Sequence, residues 1–238
     1  MRTVTQILAA ISAPDEAGRS LPELLCIDCA ETVRTAGVGM ALMNDDGHQA
    51  VLGASGPLAT QLEELQFDLG EGPALDASRT GRTVVHDDLG IDALARWPGF
   101  ASAAVAAGVR AVTALPLQVG GIRLGSLCLY RSSSERLDDD QAGTARAYAE
   151  AGVAVLLDLQ GQVGQNGILH PDLGEPVGYR AEVHQATGFL SVTASVGMAE
   201  ALLLMRAHAY ATERPLLDVA RAILSGRLHI DPEEGDDG

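Results

Sequence analysis

The sequence predicts an α+β fold in two parts, a sheet-containing N-terminal region flanked by helices and then a purely helical block. Three observations predict it. Short apolar runs of strand period, joined at glycine-containing turns, recur between residues 38 and 131, and apolar residues at helical spacing stand on both sides of them. Beyond a Gly/Pro-rich stretch only helical period remains.

Taken in order, Arg2 to about Ile11 and Leu21 to Arg34 carry helical spacing, with Pro14 and Gly18 separating them. The period then changes. Val38–Met43 and Ala50–Ser55 read as two strands joined at an Asp46-Gly47 turn, and Val109–Val119 and Ile122–Arg131 as a second hairpin turning at Gly120-Gly121. Thr83–Asp88 adds a fifth strand. Leu137–Gln160 reads as a long helix whose acidic first turn, Asp138-Asp139-Asp140, favours the positive end of its dipole. That is a better account of the three acids than a metal cluster, and no metal site is expected.

Residues 1–160 therefore form one expected domain, with its own N-terminal helix. Residues 161–179, rich in Gly and Pro and without sustained period, form a linker candidate. Helices are expected over Arg180–Val192, Met198–Glu213 and Pro215–Leu228, making a second domain over 180–230. The acidic stretch 231–238 reads as a polar tail.

The chain has 238 residues, with 32 acids against 16 basic residues and a formal charge of −16. This balance excludes a general polyanion-coating protein and one held to a membrane by a basic patch. Every basic residue is arginine, which excludes a lysine-based catalyst. Residues 180–230, with 5 arginines and 4 acids, are the one region that is not acidic. The longest apolar stretches, such as Ala151–Leu157 and Ala201–Met205, fall short of the roughly 18 residues a membrane span needs. With no signal-peptide pattern and an odd count of cysteines (Cys26, Cys29 and Cys128), a cytoplasmic, reducing location is expected.

In the last helix Leu216, Val219, Ala220, Ile223 and Leu224 follow the spacing of a buried stripe, leaving Arg221 and Arg227 off the core face. In the helix before it Arg206 and Tyr210 are adjacent on one surface at i, i+4, with Arg214 at the next step. Guanidinium groups beside an aromatic face can hold phosphates and stack an unpaired base, the parts that RNA loops require. The alternative remains open at this point: Arg206 as a solvated charge paired to Glu213 or Asp218, and Tyr210 as a packing residue. Three helices of this length make a thin core, which predicts a dimer.

Ala186-x-Gly188, Glu200-Ala201, Met205-Arg206-Ala207-x-Ala209 and Arg214-Pro215-Leu216-x-Asp218-Val219-Ala220, within Gln185–Leu228, resemble the ANTAR domain, a three-helix RNA-binding module of bacterial transcription antiterminators. Two positions depart from the pattern: Gly197 stands where a hydroxyl or Asp usually opens the second helix, and Ser191 where Met is usual. The segments Phe67–Leu89, Trp97–Phe100 and Gly108–Arg131 resemble GAF sensor domains as they occur fused to ANTAR in actinobacteria. Together the resemblances imply a cytoplasmic regulator that binds leader-RNA hairpins as a homodimer through Arg206, Tyr210, Arg214, Arg221 and Arg227. A GAF pocket between the sheet and the Phe67–Phe100 segment would answer a small molecule, redox change or partner.

Phe67, Glu71, Trp97, Phe100 and Cys128 are the candidate ligand-lining residues, with core packing as the alternative for Trp97 and Cys128. Nothing identifies the ligand or a cofactor. Gly70-Glu71-Gly72-Pro73 lacks the Lys-Ser/Thr of a phosphate loop and reads as a turn at the pocket rim. Cys26-x-x-Cys29 lies inside a helix with no second pair, so it reads as two small packed residues rather than half a zinc site. No enzymatic activity is expected. The runner-up is a GAF-fold free methionine sulfoxide reductase using the cysteines, and a third reading is a protein-interaction scaffold.

Overall fold

The computed structural model of the protein describes residues 2–13, 15–44, 47–163 and 171–230. The chain divides into two compact units, Met1–Leu173 and Gly174–Gly238.

The first unit is built on a five-stranded antiparallel sheet of β1 (Gly37–Asn44), β2 (Gly47–Ala54), β3 (Val84–His86), β4 (Ala111–Val119) and β5 (Ile122–Arg131), in the order β2-β1-β5-β4-β3. The β4/β5 hairpin closes at Val119 opposite Ile122, with Gly120 at φ 58°, as its two glycines require. The β1/β2 pair forms as expected, whereas its Asp45-Asp46 tip lies outside the described residues. Gly125 of β5 is obligatory for another reason: a Cβ there would strike the carbonyl oxygen of Ala41 on β1.

Alternation along the strands gives the sheet two apolar faces. On one face Val38, Met40, Leu115, Leu117, Leu127 and Leu129 pack with α1 (Val4–Ile11), α2 (Leu21–Val33) and α7 (Asp139–Val163). Helix α1 starts on a reciprocal Thr3–Gln6 capping box. It is fixed beside Asp28, which accepts from Arg2 at 2.7 Å and from the Tyr148 hydroxyl at 2.6 Å. Asp138 caps α7 by accepting from the Gln141 N–H at 2.7 Å, so the first of the three acids serves the helix start.

On the other face Ala41, Met43, Val112, Ala114, Cys128 and Tyr130 are covered by α3 (Pro57–Leu69), α4 (Pro73–Thr80), α5 (Ile91–Arg96) and α6 (Pro98–Ala106). The sequence pattern did not separate these four helices. Each is short and three begin at a proline just after a glycine or Trp97, so local punctuation masks the helical period. Trp97 is the junction of α5 and α6 and is fully enclosed.

The stretch expected as an irregular linker is partly helical. Helix α7 continues to Val163 and α8 (Pro171–Thr193) begins at a proline, which suits a first helical turn. Residues 164–170 and the acidic tail 231–238 lie outside the described residues.

The second unit contains the rest of α8, α9 (Met198–Ala211) and α10 (Leu216–Leu224). Val183, Ala186, Leu190, Ala201, Met205, Ala209, Leu216, Val219, Ala220 and Ile223 are buried. The small residues let the helices approach closely, and the Thr187 hydroxyl satisfies itself on the Val183 carbonyl at 2.7 Å. Ser191 does not disturb this core: its hydroxyl donates to the Val196 carbonyl at 2.7 Å and closes the turn before α9. Leu224 departs from the expected stripe. It is 40% exposed, because the apolar arc of α10 runs instead through Leu217 and Ala222.

Candidate functional site

In the first unit, polar chemistry is concentrated inside the core between the sheet and α3. Glu63 and Gln66, one turn apart on α3, point inward with no exposure. The Tyr130 hydroxyl of β5 donates to Glu63 Oε1 at 2.7 Å and accepts from Gln66 Nε2 at 2.9 Å. Gln66 Oε1 in turn accepts from the Ala74 N–H at 2.8 Å, which ties α3 to the start of α4. Gly39 of β1 makes the room, since a Cβ there would strike the Glu63 side chain.

Cys128 stands opposite Gly39 in the sheet. Burial pushes its thiol well above the ordinary range, and the Glu63 carboxylate adds to the effect. Burial likewise raises the Tyr130 phenol, followed by Cys128 and Glu63. Ser126 Oγ, on the same strand face, is buried without a hydrogen-bond partner among the described residues.

Of the five residues expected to line a pocket, Phe67, Trp97, Phe100 and Cys128 are all buried in this region. Trp97 packs edge-on to Phe100 with centroids 6.2 Å apart and to His86 at 4.7 Å. Its indole N–H donates to Asp76 Oδ2 at 3.1 Å, and Arg96, also bonded to Asp76, lies 5.1 Å over its ring. Glu71 has a different place: its Oε1 accepts from the N–H groups of Gly99 and Phe100 at 2.8 and 2.9 Å, capping α6. Glu63, Gln66 and Tyr130 were not singled out from sequence. The only available signal was a Glu and a Gln at i, i+3 among the leucines of 58–69.

The three thiols do not converge. Cys26 and Cys29 are buried in the core on the α2 side of the sheet, and Cys128 in the core on the α3 side. Burial raises the pKa of Cys26 and of Cys29 as well, so each is held as a thiol.

In the second unit the five candidate RNA-binding residues fall on two helices and the segments that follow them. Tyr210 is 76% exposed and Arg206, one turn earlier on α9, is half-buried. Arg214 is exposed, and its guanidinium reaches the Asp218 carbonyl at 3.3 Å. Arg221 is turned to α8, where it pairs with Glu182 at 2.8 Å, and Arg227 is exposed beside Ser225. Phe189, Val192, Met198 and Leu203 add exposed apolar surface to α8 and α9.

An antiparallel sheet covered by helices on both faces, with a hydrogen-bonded polar cluster buried on one side, defines an α+β domain. The chain belongs to the GAF domain family, whose model matches residues 19–158 and so leaves out α1 and the second unit. Among solved structures, the free methionine-R-sulfoxide reductase of Neisseria meningitidis in complex with its substrate is similar at TM-score 0.50 and 19% identity, over 68% of this chain and 90% of that one. The GAF domain of a phosphoenolpyruvate-protein phosphotransferase from Coxiella burnetii is similar at TM-score 0.49 and 14% identity, over 68% and 97%. That of the Acinetobacter phosphotransferase gives 0.48 and 8%, over 66% and 92%. At these identities the likeness is one of fold. The comparison with curated proteins found no match. The family supports a signal-sensing role. Among the described residues no single helix is long and apolar enough to cross a membrane.

Proposed function

We propose that the chain is a signal-responsive transcription antitermination regulator. Its GAF domain senses a small molecule, a redox change or a partner, and the ANTAR-like helices α8–α10 bind RNA hairpins as a homodimer. The observation that carries the RNA reading is Tyr210: a phenol ring left 76% exposed on a small helical unit, with Arg206 and Arg214 at the neighbouring turns. An aromatic so placed gains little for folding and has the geometry to stack a looped-out base. The alanines of the ANTAR-like motif, Ala186, Ala201, Ala209 and Ala220, are in turn the close-packing positions of the core.

The sensing chamber is assigned to the Glu63–Gln66–Tyr130–Cys128 region, with Ser126 Oγ as its spare hydrogen-bonding group. A ligand entering there would displace aromatic packing at Trp97 and Phe100. The reductase reading has no comparable support, because its chemistry needs thiols in one pocket and these lie on opposite faces of the sheet. The exposed apolar side chains Val192 and Leu203 offer a surface for the second protomer.

The test is binding of the full chain to RNA hairpins selected from cell extract. Tyr210→Ala is expected to weaken binding by the worth of one stacked base, about 1–3 kcal/mol, with an unchanged far-UV circular dichroism spectrum. Affinity unchanged in Tyr210→Ala and Arg214→Ala alike removes this surface as the RNA site.

A further inference from the structure

Arg131, the last residue of β5, lies on the α2/α7 side of the sheet and is only 9% exposed. Among the described residues its guanidinium has no hydrogen-bond or ion-pair partner. A guanidinium this enclosed, reached by only a little solvent, favours an anion that can come up to it.

The residue opens on a cavity of about 350 Å³ bounded by the end of α2, the end of β5 and the start of α7. Arg34 enters it from the C-terminal cap of α2, where a left-handed φ of 62° turns the chain out of the helix. Ser132 and Ser133 line it with hydroxyls that make no hydrogen bond among the described residues. Other polar lining is already engaged. Gln141 donates to the Val33 carbonyl at 2.9 Å and accepts from the Asp138 N–H at 3.1 Å, and Arg136 pairs with Asp87 at 2.8 Å. Two acids also border the cavity. Asp138 caps α7, Glu135 is exposed, and neither pairs with Arg131 or Arg34.

What remains unspent is therefore two guanidinium groups and two hydroxyls converging on one small, open, polar space. We infer that this cavity is an oxoanion site that takes a phosphate group, with Arg131 as its buried anchor and Arg34, Ser132 and Ser133 completing the cradle. A phosphate has three or four acceptor oxygens to match these donors, whereas a carboxylate has two, and guanidinium forks suit both geometries. The same chemistry is offered by free phosphate and by a phosphomonoester. The site lies on the face of the sheet opposite the sensing chamber and does not rest on the RNA reading. A bound phosphate would link the end of α2 to the end of β5 through one ion.

The test uses the full chain at constant ionic strength, with inorganic phosphate titrated against chloride and followed by thermal unfolding and by phosphorus NMR line width. Phosphate is expected to raise Tm saturably by a few degrees while chloride does not, and the dissociation constant to rise at least tenfold in Arg131→Gln. Arg34→Gln, at an exposed position, is expected to weaken binding as well and decides the matter if Arg131→Gln does not fold. A phosphate response equal to that of chloride, an adventitious ion only, overturns the site. So does an unchanged dissociation constant in the folded Arg34→Gln and Arg131→Gln proteins. Glycerol phosphate separates the sources: tighter binding than inorganic phosphate assigns a phosphomonoester, and equal or weaker binding assigns the free ion.

Discussion

The Tyr130 hydroxyl donates to the Glu63 carboxylate at 2.7 Å inside a core where neither residue has any exposure. A bond of this kind contributes less by its own strength than by what its loss leaves behind. Tyr130→Phe keeps the ring and removes only the hydroxyl, taking a donor from Glu63 and an acceptor from Gln66. The expected loss of stability is about 1–3 kcal/mol, read from the midpoint of urea unfolding with an unchanged slope.

Trp97 is the only tryptophan of the chain, and His86 meets it edge-on at 4.7 Å. Burial lowers the His86 pKa below its ordinary value, with Arg96 as the second cause. The imidazole is therefore neutral at pH 7. The stability it contributes is present above the unfolded-state value near 6.5 and is lost as pH falls through the lower folded value. Tryptophan emission is expected to fall in that acidic window as the imidazolium quenches the indole. The titration should be absent in His86→Gln, and its persistence there would assign it to another group.

Glu71 caps α6 through two backbone N–H groups. Glu71→Ala should lower stability by about 0.5–2 kcal/mol, the usual worth of a lost cap. Since the cap holds the residues that follow Trp97, hydrogen exchange at Gly99 and Phe100 should quicken before that of the sheet. Uniform exchange across the unit would contradict this local role.

Tyr148 is held beside Asp28, and burial followed by its hydrogen bond to that carboxylate raises its phenol to about 12. The unfolded chain ionises this group near 10, so the associated stability is complete below pH 10 and is lost as pH rises towards 12. Alkaline unfolding should therefore move to a flatter pH dependence in Tyr148→Phe.

The two side chains of α9 proposed to meet RNA differ in what their removal tests. Tyr210 is exposed, so Tyr210→Ala should alter hairpin affinity alone; Arg206 is half-buried, so Arg206→Ala should also lower Tm. Arginine stems cover apolar surface, and part of that loss is packing rather than charge. Reducing salt should strengthen binding in all variants.

All five strands were legible as short apolar runs, four of them paired across glycine-containing turns. Helices α1, α2 and α7 were legible from apolar residues at helical spacing. Helices α3–α6 were not, since six to thirteen residues between glycine and proline carry too little period. The polar cluster was invisible for a different reason. Glu63 and Tyr130 are 67 positions apart, and nothing local in either segment encodes that they meet. Phe67, Trp97, Phe100 and Cys128, expected from sequence to line a pocket, are all buried in the first unit, while Glu71 holds the start of α6. Leu224 fits the helical stripe by spacing yet stays exposed, because periodicity fixes an angle and not the width of the surface that a neighbour covers.

Strand β5 is a party wall: its even-numbered residues Ser126, Cys128 and Tyr130 furnish one room, while Leu127, Leu129 and Arg131 furnish the other. Since a strand is one stiff backbone, any shove on Tyr130 must tug on its neighbours Leu129 and Arg131 across the partition. Saturation mutagenesis along this strand should accordingly read as two interleaved tolerance profiles, each answering to a different set of tenants.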